Sequence, residues 1–115
     1  MKHDPLNHRL LDEFPYISKN YEKVKDGVFD LDTPAFSFYE EIFVPYIIEQ
    51  INKKDEKEIK HCFDFVETMM NDEEEIVQDV AMQSILCILG EKKIELKKLP
   101  LGRRSLEYVS NWVEI

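Results

Sequence analysis

Helical periodicity is the feature that most constrains this chain. Apolar residues recur at spacings of three and four along nearly its whole length, which is the repeat of one buried face on an α-helix. The three glycines, at positions 27, 90 and 102, all fall where this periodicity stops. Strand-like alternation occurs only in residues 27–32, which fit either an extended strand or a loop. The pattern predicts an all-α protein.

Length and composition predict a single domain. A chain of 115 residues is the size of one ordinary domain, so we expect one α-helical domain over residues 1–115. The longest apolar stretch, residues 36–51, is interrupted by Glu40, Glu41 and Glu49 and is too charged to span a bilayer. The N-terminal segment lacks the apolar run of a signal peptide. We therefore expect a cytoplasmic protein with no membrane partner.

Helix start and stop signals divide the first half of the chain into three helices. They predict helices over residues 4–14, 16–26 and 34–52, with Asp4 as the first N-cap. Within the third helix, Pro45 lacks an amide donor and crowds the preceding turn, which predicts a bend or a break. The buried face of this helix is an aromatic stripe of Phe36, Tyr39, Phe43, Tyr46 and Ile47.

Two capping-box signals mark a central pair of helices. Asp55 with Glu58, and Asp72 with Glu75, each precede an amphipathic run. The first run should end near position 71 and the second at Gly90, and the second is apolar on more than one face. A helix so broadly apolar belongs at the centre of a domain. The pair resembles a single HEAT-like helical pair, although no repeat period recurs along the chain.

The C-terminal quarter predicts a short helix in residues 91–101 and a final helix over 105–112, with Leu106, Val109 and Val113 on its inner side. The total is five or six helices, so we expect an irregular antiparallel helical domain. The predicted core consists of Phe43, Ile47, Cys62, Phe63, Val66, Val80, Ile85, Ile88 and Val109.

Residues with catalytic or metal-binding chemistry are few. Cys62 and Cys87 lie in apolar runs and are predicted to be reduced core residues. His8 and Asp12 share a helix face, but no third ligand follows at helical spacing. His61 is interpreted as a half-exposed packing residue rather than a base. We therefore predict a protein that is not an enzyme and that holds no metal and no cofactor.

Charge favours a protein partner over nucleic acid. The net charge is −9, yet residues 92–104 carry six basic residues against Glu95, a local +5 that leaves −14 elsewhere. This excess repels phosphate backbones and attracts a basic protein. The candidate partner-binding residues form two acidic clusters beside the central helices: Asp55, Glu56, Asp72, Glu73, Glu74 and Glu75.

Several motifs together resemble a family of small, acidic, uncharacterised bacterial proteins. They are the Pro-Tyr pair at 45–46, the Asn-Asp-Glu-Glu turn at 71–74, the Leu-Gly helix end at 89–90 and a final helix bearing Trp112. The resemblance covers roughly residues 36–113 and its motifs are structural. Such proteins are similar to immunity proteins encoded beside toxins, which implies neutralisation by direct binding.

Two hypotheses of function follow. The first is an immunity-type protein that binds and neutralises a cognate bacterial toxin domain of basic character. The alternative is a helical adaptor or regulatory module without catalytic activity, which binds its partner through an apolar groove. The sequence leaves the oligomeric state and the choice between the two acidic clusters open.

Overall fold

A computed structural model describes residues 5–20 and 33–113. The predictions made for Asp4, for residues 21–26 and for segment 27–32 lie outside these ranges. The described residues form six helices and one short 3₁₀ turn, with no strand among them, which confirms the predicted all-α fold. The elements are α1 (Pro5–Glu13), α2 (Pro15–Asn20), α3 (35–53), α4 (Glu56–Met70), α5 (75–91), the 3₁₀ turn (Leu96–Lys98) and α6 (Arg103–Val113).

Helix α3 changes its hydrogen-bond register in front of Pro45. It is an α-helix over Ala35–Phe38, a π-helix over Tyr39–Phe43 and an α-helix again over Val44–Lys53. In the π segment the Val44 amide donates to the Tyr39 carbonyl, five residues back. The helix is therefore not split at Pro45. The missing proline donor coincides instead with a widened turn immediately before it.

Helix α5 lies at the centre of the described fold, as predicted. Its middle segment, Val80–Leu86, is also a π-helix, in which the Cys87 amide donates to the Met82 carbonyl. This segment contacts α3, α4 and α6. Because three helices surround it, apolar side chains on several of its faces are removed from water. Its buried residues are Val80, Ala81, Ser84, Ile85 and Leu86.

The core matches the predicted list closely. Eight of the nine predicted residues have no exposed surface, and Ile88 is half-buried. Phe14 of the α1–α2 junction joins them, because its ring packs 5.1 Å from that of Phe43 and 5.4 Å from that of Phe65. These aromatic contacts hold the N-terminal helices on the body of the domain.

Two predictions in the C-terminal quarter are wrong in detail. Leu106 was expected on the inner side of α6 but is 43% exposed, while Ser105 and Val109 are fully buried. The inner face of α6 is thus rotated by about one residue. Instead of the short helix expected in residues 91–101, the structure has only the 3₁₀ turn. Helix α5 extends to Glu91, and Lys93 after it has a positive φ of 68°.

Within the described ranges, no helix is both long enough and apolar enough to cross a membrane.

The central position of Val80 predicts that Val80→Asp abolishes folding, because the side chain is fully buried and an unpaired carboxylate there has no compensating partner. Gln83→Asp is the matched control, since Gln83 lies in the same segment but is exposed. Thermal unfolding followed by circular dichroism should show a cooperative transition for the control and none for Val80→Asp. Near-native melting of Val80→Asp would contradict the central placement of α5.

Candidate functional site

The acidic turn, residues 71–74, connects α4 to α5 and has an ordered shape. Asn71 is the C-cap of α4. The Asp72 carboxylate accepts a hydrogen bond from the Glu74 amide at 2.9 Å, and the Gln78 side chain donates to the Asp72 carbonyl at 2.7 Å. Arg9 of α1 lies 3.6 Å from the Asp72 carboxylate. These contacts fix the backbone, and Glu73 and Glu74 project into solvent.

The predicted start of the second central helix is two residues too early. Asp72 was expected to cap it, but α5 begins at Glu75 and its N-cap is Glu74, whose side chain makes no capping bond. The Asp72 side chain bonds the amide two residues ahead and so forms a turn rather than a helix start. The first capping signal is confirmed, because Asp55 accepts from the Glu58 amide at 3.2 Å.

Glu67 of α4 connects the acidic turn to the last helix. Its carboxylate accepts hydrogen bonds from the Arg104 amide at 2.8 Å, and from the Ser105 amide and hydroxyl at 3.0 and 2.8 Å. The Asn71 side chain donates to the same carboxylate at 3.0 Å. A side chain of α4 therefore satisfies the amides at the start of α6, as an N-cap residue normally does.

These hydrogen bonds also set the pKa of the Glu67 carboxyl group. Partial burial raises the pKa of this carboxyl, but the hydrogen bonds from Arg104, Ser105 and Asn71 outweigh it and lower the pKa below the ordinary 4.5. Gly102 permits the approach, because a Cβ at this position would lie 2.3 Å from Cγ of Glu67. The glycine is needed for space here rather than for backbone conformation.

A shallow depression of about 750 Å³ lies beside the acidic turn, and every residue that lines it is polar. Within the described residues, the side chains of Glu73 and Glu74 take part in no ion pair or hydrogen bond. Exposed carboxylates around a polar depression are suited to an ammonium or guanidinium group. The lining consists of Glu67, Thr68, Asn71, Asp72, Glu73 and Glu74.

The six predicted site residues do not form one patch. Asp55 and Glu56 lie at the start of α4 and the acidic turn at its end, and the 15 residues between them span about 22 Å. Glu56 lies in a groove together with Lys54 and Lys60. The acidic character is therefore concentrated in residues 72–75, where Glu73, Glu74 and Glu75 are exposed and Asp72 is half-buried.

Sequence reasoning missed a titratable cluster around His61. The imidazole Nε2 lies 2.7 Å from a Glu13 carboxylate oxygen and Nδ1 lies 3.3 Å from Glu58. Glu58 also accepts a hydrogen bond from the Tyr46 hydroxyl, and the His61 ring packs 4.4 Å from that of Phe14. His61 is half-exposed, as predicted, since its side chain is 37% exposed.

The two carboxylates determine the charge of His61. Burial lowers the pKa of the imidazole, but Glu13 and Glu58 outweigh this and raise it above the ordinary 6.5. Both ring nitrogens face carboxylates, so the arrangement favours an imidazolium that joins α1 to α4.

The two cysteines and the pair of His8 with Asp12 are the other candidate groups from the sequence. Both cysteines are free; Cys62 is fully buried, and burial raises the pKa of its thiol. Cys87 is only half-buried, with its sulfur 3.2 Å from the Tyr108 hydroxyl. Burial and this contact raise the pKa of Tyr108 to about 12. His8 Nδ1 lies 3.0 Å from an Asp12 carboxylate oxygen, and no group of three potential metal ligands occurs among the described residues.

Comparison with known proteins identifies the family but no activity. The chain belongs to a family described as a domain of unknown function, DUF7674, whose model matches residues 7–100. No curated protein matches the chain, and no solved structure does. The match spans α1 to the 3₁₀ turn and includes the acidic turn and Glu67.

The Glu67 contacts predict that Glu67→Gln lowers the free energy of unfolding by about 1 kcal/mol, because charge-assisted bonds to the start of α6 become neutral ones. Gly102→Ala should destabilise by a similar or larger amount, since the new methyl group displaces the same carboxylate. Glu91→Gln, at an exposed glutamate of α5, is the control. Equal stability of all three variants in urea unfolding would show that the Glu67 contacts contribute nothing.

The His61 cluster predicts a pH-dependent contribution to stability. Because the folded pKa is raised, this contribution is fully present below pH 6.5 and is lost as the pH rises through the folded value. The difference in unfolding free energy between the wild-type protein and His61→Asn should therefore shrink from pH 6 to pH 9. His8→Asn, which removes an exposed contact with Asp12 on α1, is the control and should show a smaller difference. A difference for His61→Asn that stays constant with pH would be incompatible with the assigned ion pairs.

Proposed function

We propose that this protein is an immunity-type binding protein without catalytic activity, which neutralises a basic bacterial toxin domain by direct contact at the acidic turn. The observation that supports this most is the unpaired state of Glu73 and Glu74 at the rim of the polar depression, in the residues described. Both carboxylates are available to a lysine or an arginine of a partner.

Preorganisation supports the proposal. Asp72, Gln78 and Glu67 already hold the backbone on both sides of the turn. A partner therefore has little chain entropy to remove when it docks, which leaves more of the contact energy for affinity. In this proposal Asp72 and Glu67 stabilise the turn by hydrogen bonds, and the exposed Glu73 and Glu74 contact the partner.

An apolar residue lies next to the exposed carboxylates. Ile76, in the first turn of α5, is 52% exposed, which is the largest value among the exposed large apolar side chains described. Interfaces combine an apolar centre with a polar rim, and Ile76 beside Glu73, Glu74 and Glu75 supplies both on a small scale. The carboxylates steer a basic partner, and burial of Ile76 slows its dissociation.

In this proposal the negative charge of the acidic turn explains how the toxin is neutralised. A toxin domain that acts on a phosphate-bearing substrate needs a basic surface, and the acidic turn would occupy that surface in competition with the substrate. Net charges of opposite sign also raise the rate of encounter, which suits an inhibitor that must act before the toxin does.

The proposal predicts that the double variant Glu73→Lys, Glu74→Lys associates more slowly with the partner and with a weaker salt dependence. The candidate partner for this test is the purified product of a toxin-like reading frame immediately upstream of that of this protein. Surface-based kinetics at two salt concentrations, on either side of about 0.1 M where the Debye length is about 10 Å, measure both quantities. The side chains are exposed, so the fold should be unchanged.

The matched control is Glu40→Lys, Glu91→Lys, which changes the net charge equally at exposed sites outside the depression. A smaller loss is expected for it, because it alters only the overall charge. Equal losses in both variants would contradict a local role for the turn. Full binding by the Glu73 and Glu74 variant would favour the alternative, an adaptor that uses an apolar surface.

A further inference from the structure

A second candidate surface lies at the opposite end of α4 from the acidic turn. It is a groove of about 560 Å³ between the end of α3, the start of α4 and the residues that follow the 3₁₀ turn. Its volume falls within the range of about 300–1,000 Å³ that is typical of ligand pockets. Four aliphatic residues line its floor: Ile51, Ile59, Leu99 and Pro100.

Three lysines, Lys54, Lys60 and Lys98, rim this groove in a protein whose net charge is −9. Lys60 pairs with Asp64 at 3.0 Å and Lys98 with Glu95 at 3.1 Å; both pairs join residues close in sequence, and their side chains are exposed. Pairs of this kind are weak and can exchange for a carboxylate of a ligand. Lys54 makes no ion pair with any described residue.

The backbone of Lys54 has an uncommon conformation. It has φ 59° and ψ 35°, so it ends α3 in the left-handed conformation. For a residue with a Cβ this conformation costs roughly 1–2 kcal/mol, and glycine or asparagine is the usual occupant. Lys93, which follows α5, also has a positive φ, so the strain by itself does not identify a site. Lys54 differs in that its ammonium group, which pairs with none of the described residues, lies at the edge of an apolar groove.

We propose that the lysine-rimmed groove binds an acidic amphipathic segment of a partner protein. Apolar side chains of the segment occupy the aliphatic floor, and its carboxylates bind Lys54, Lys60 and Lys98. This site is distinct from the acidic turn, because it lies at the other end of α4 and selects the opposite charge. It does not depend on the proposed neutralisation of a toxin.

The lining argues against nucleic acid as the occupant. The floor is aliphatic and offers no aromatic ring on which a base could stack. Glu56 is part of the lining and would repel a phosphate. An acidic peptide can avoid Glu56 by placing an apolar residue opposite it, whereas a phosphate backbone repeats its charge at every step.

The test uses a fluorescein-labelled peptide of alternating leucine and glutamate, with fluorescence anisotropy as the measurement. This peptide should bind, while peptides with serine in place of leucine, or lysine in place of glutamate, should bind at least about 5-fold more weakly. A labelled single-stranded oligonucleotide is the fourth probe. Stronger binding of the oligonucleotide, equal binding of the serine peptide, or no binding of the leucine–glutamate peptide would overturn the proposal.

Protein variants locate the site. Lys54→Gly removes the ammonium group and the left-handed strain together, so it should weaken peptide binding several-fold without lowering the melting temperature appreciably. Adding Lys98→Glu should bring the total loss to about 10-fold or more. Lys92→Glu, an exposed lysine outside the groove, is the charge-matched control for Lys98→Glu.

The two proposals fail separately. Glu73→Lys, Glu74→Lys should leave peptide binding intact, because those residues lie at the other end of α4. Unchanged affinity in the Lys54→Gly, Lys98→Glu protein would overturn the groove proposal and leave the acidic turn unaffected. Loss of peptide binding in the acidic-turn variant, with wild-type binding in the lysine variant, would place the peptide at the turn and overturn the groove as its site.

Discussion

The carboxylate of Glu67 is the contact on which the described C-terminal half of the fold depends. An 11-residue helix such as α6 is marginal in water on its own, and its first amides need acceptors. Glu67 supplies them from α4 and also holds Asn71, which begins the acidic turn. One side chain thus places α6 against the core, where Val109 is buried, and fixes the entrance to α5. Gly102 leaves the space that this arrangement requires.

Much of this architecture could be predicted from local sequence, because helical periodicity and caps act over a few residues. The start of α4 at Asp55, its end at Asn71 and the central burial of Val80 are examples. The π segment in α3 precedes Pro45, whose missing amide donor is a local signal of a disturbed helix, but no local signal marks the π segment in α5. The two segments contact each other in the core. The exposure of Leu106 likewise depends on how α6 is rotated against its neighbours.

The candidate site was predictable only where its residues are consecutive. The run of acids at 72–75 is visible in the sequence, but the side chains of Glu67 and Arg9 that contact this turn are not consecutive with it. The contact between His61 and Glu13 likewise joins residues 48 positions apart. No local pattern identifies such partners. Glu56 was predicted from its charge to belong to an acidic patch. The fold places it instead beside the lysines of the groove. The groove itself needs three elements that are separate in sequence.

Helix dipoles explain part of the separation of charge along α4. Glu73, Glu74 and Glu75 lie at the start of α5, and Lys53 and Lys54 at the end of α3, where each sign is stabilised by about 0.3–1 kcal/mol. This stabilisation requires a charge in the terminal turn, which Lys53 already supplies. It does not require a lysine at the left-handed position, where the strain of roughly 1–2 kcal/mol exceeds the dipole benefit. Lys93, which follows α5, has a positive φ as well, so a left-handed lysine is not specific to the groove. The case for a ligand there depends on the three lysines that surround its aliphatic lining.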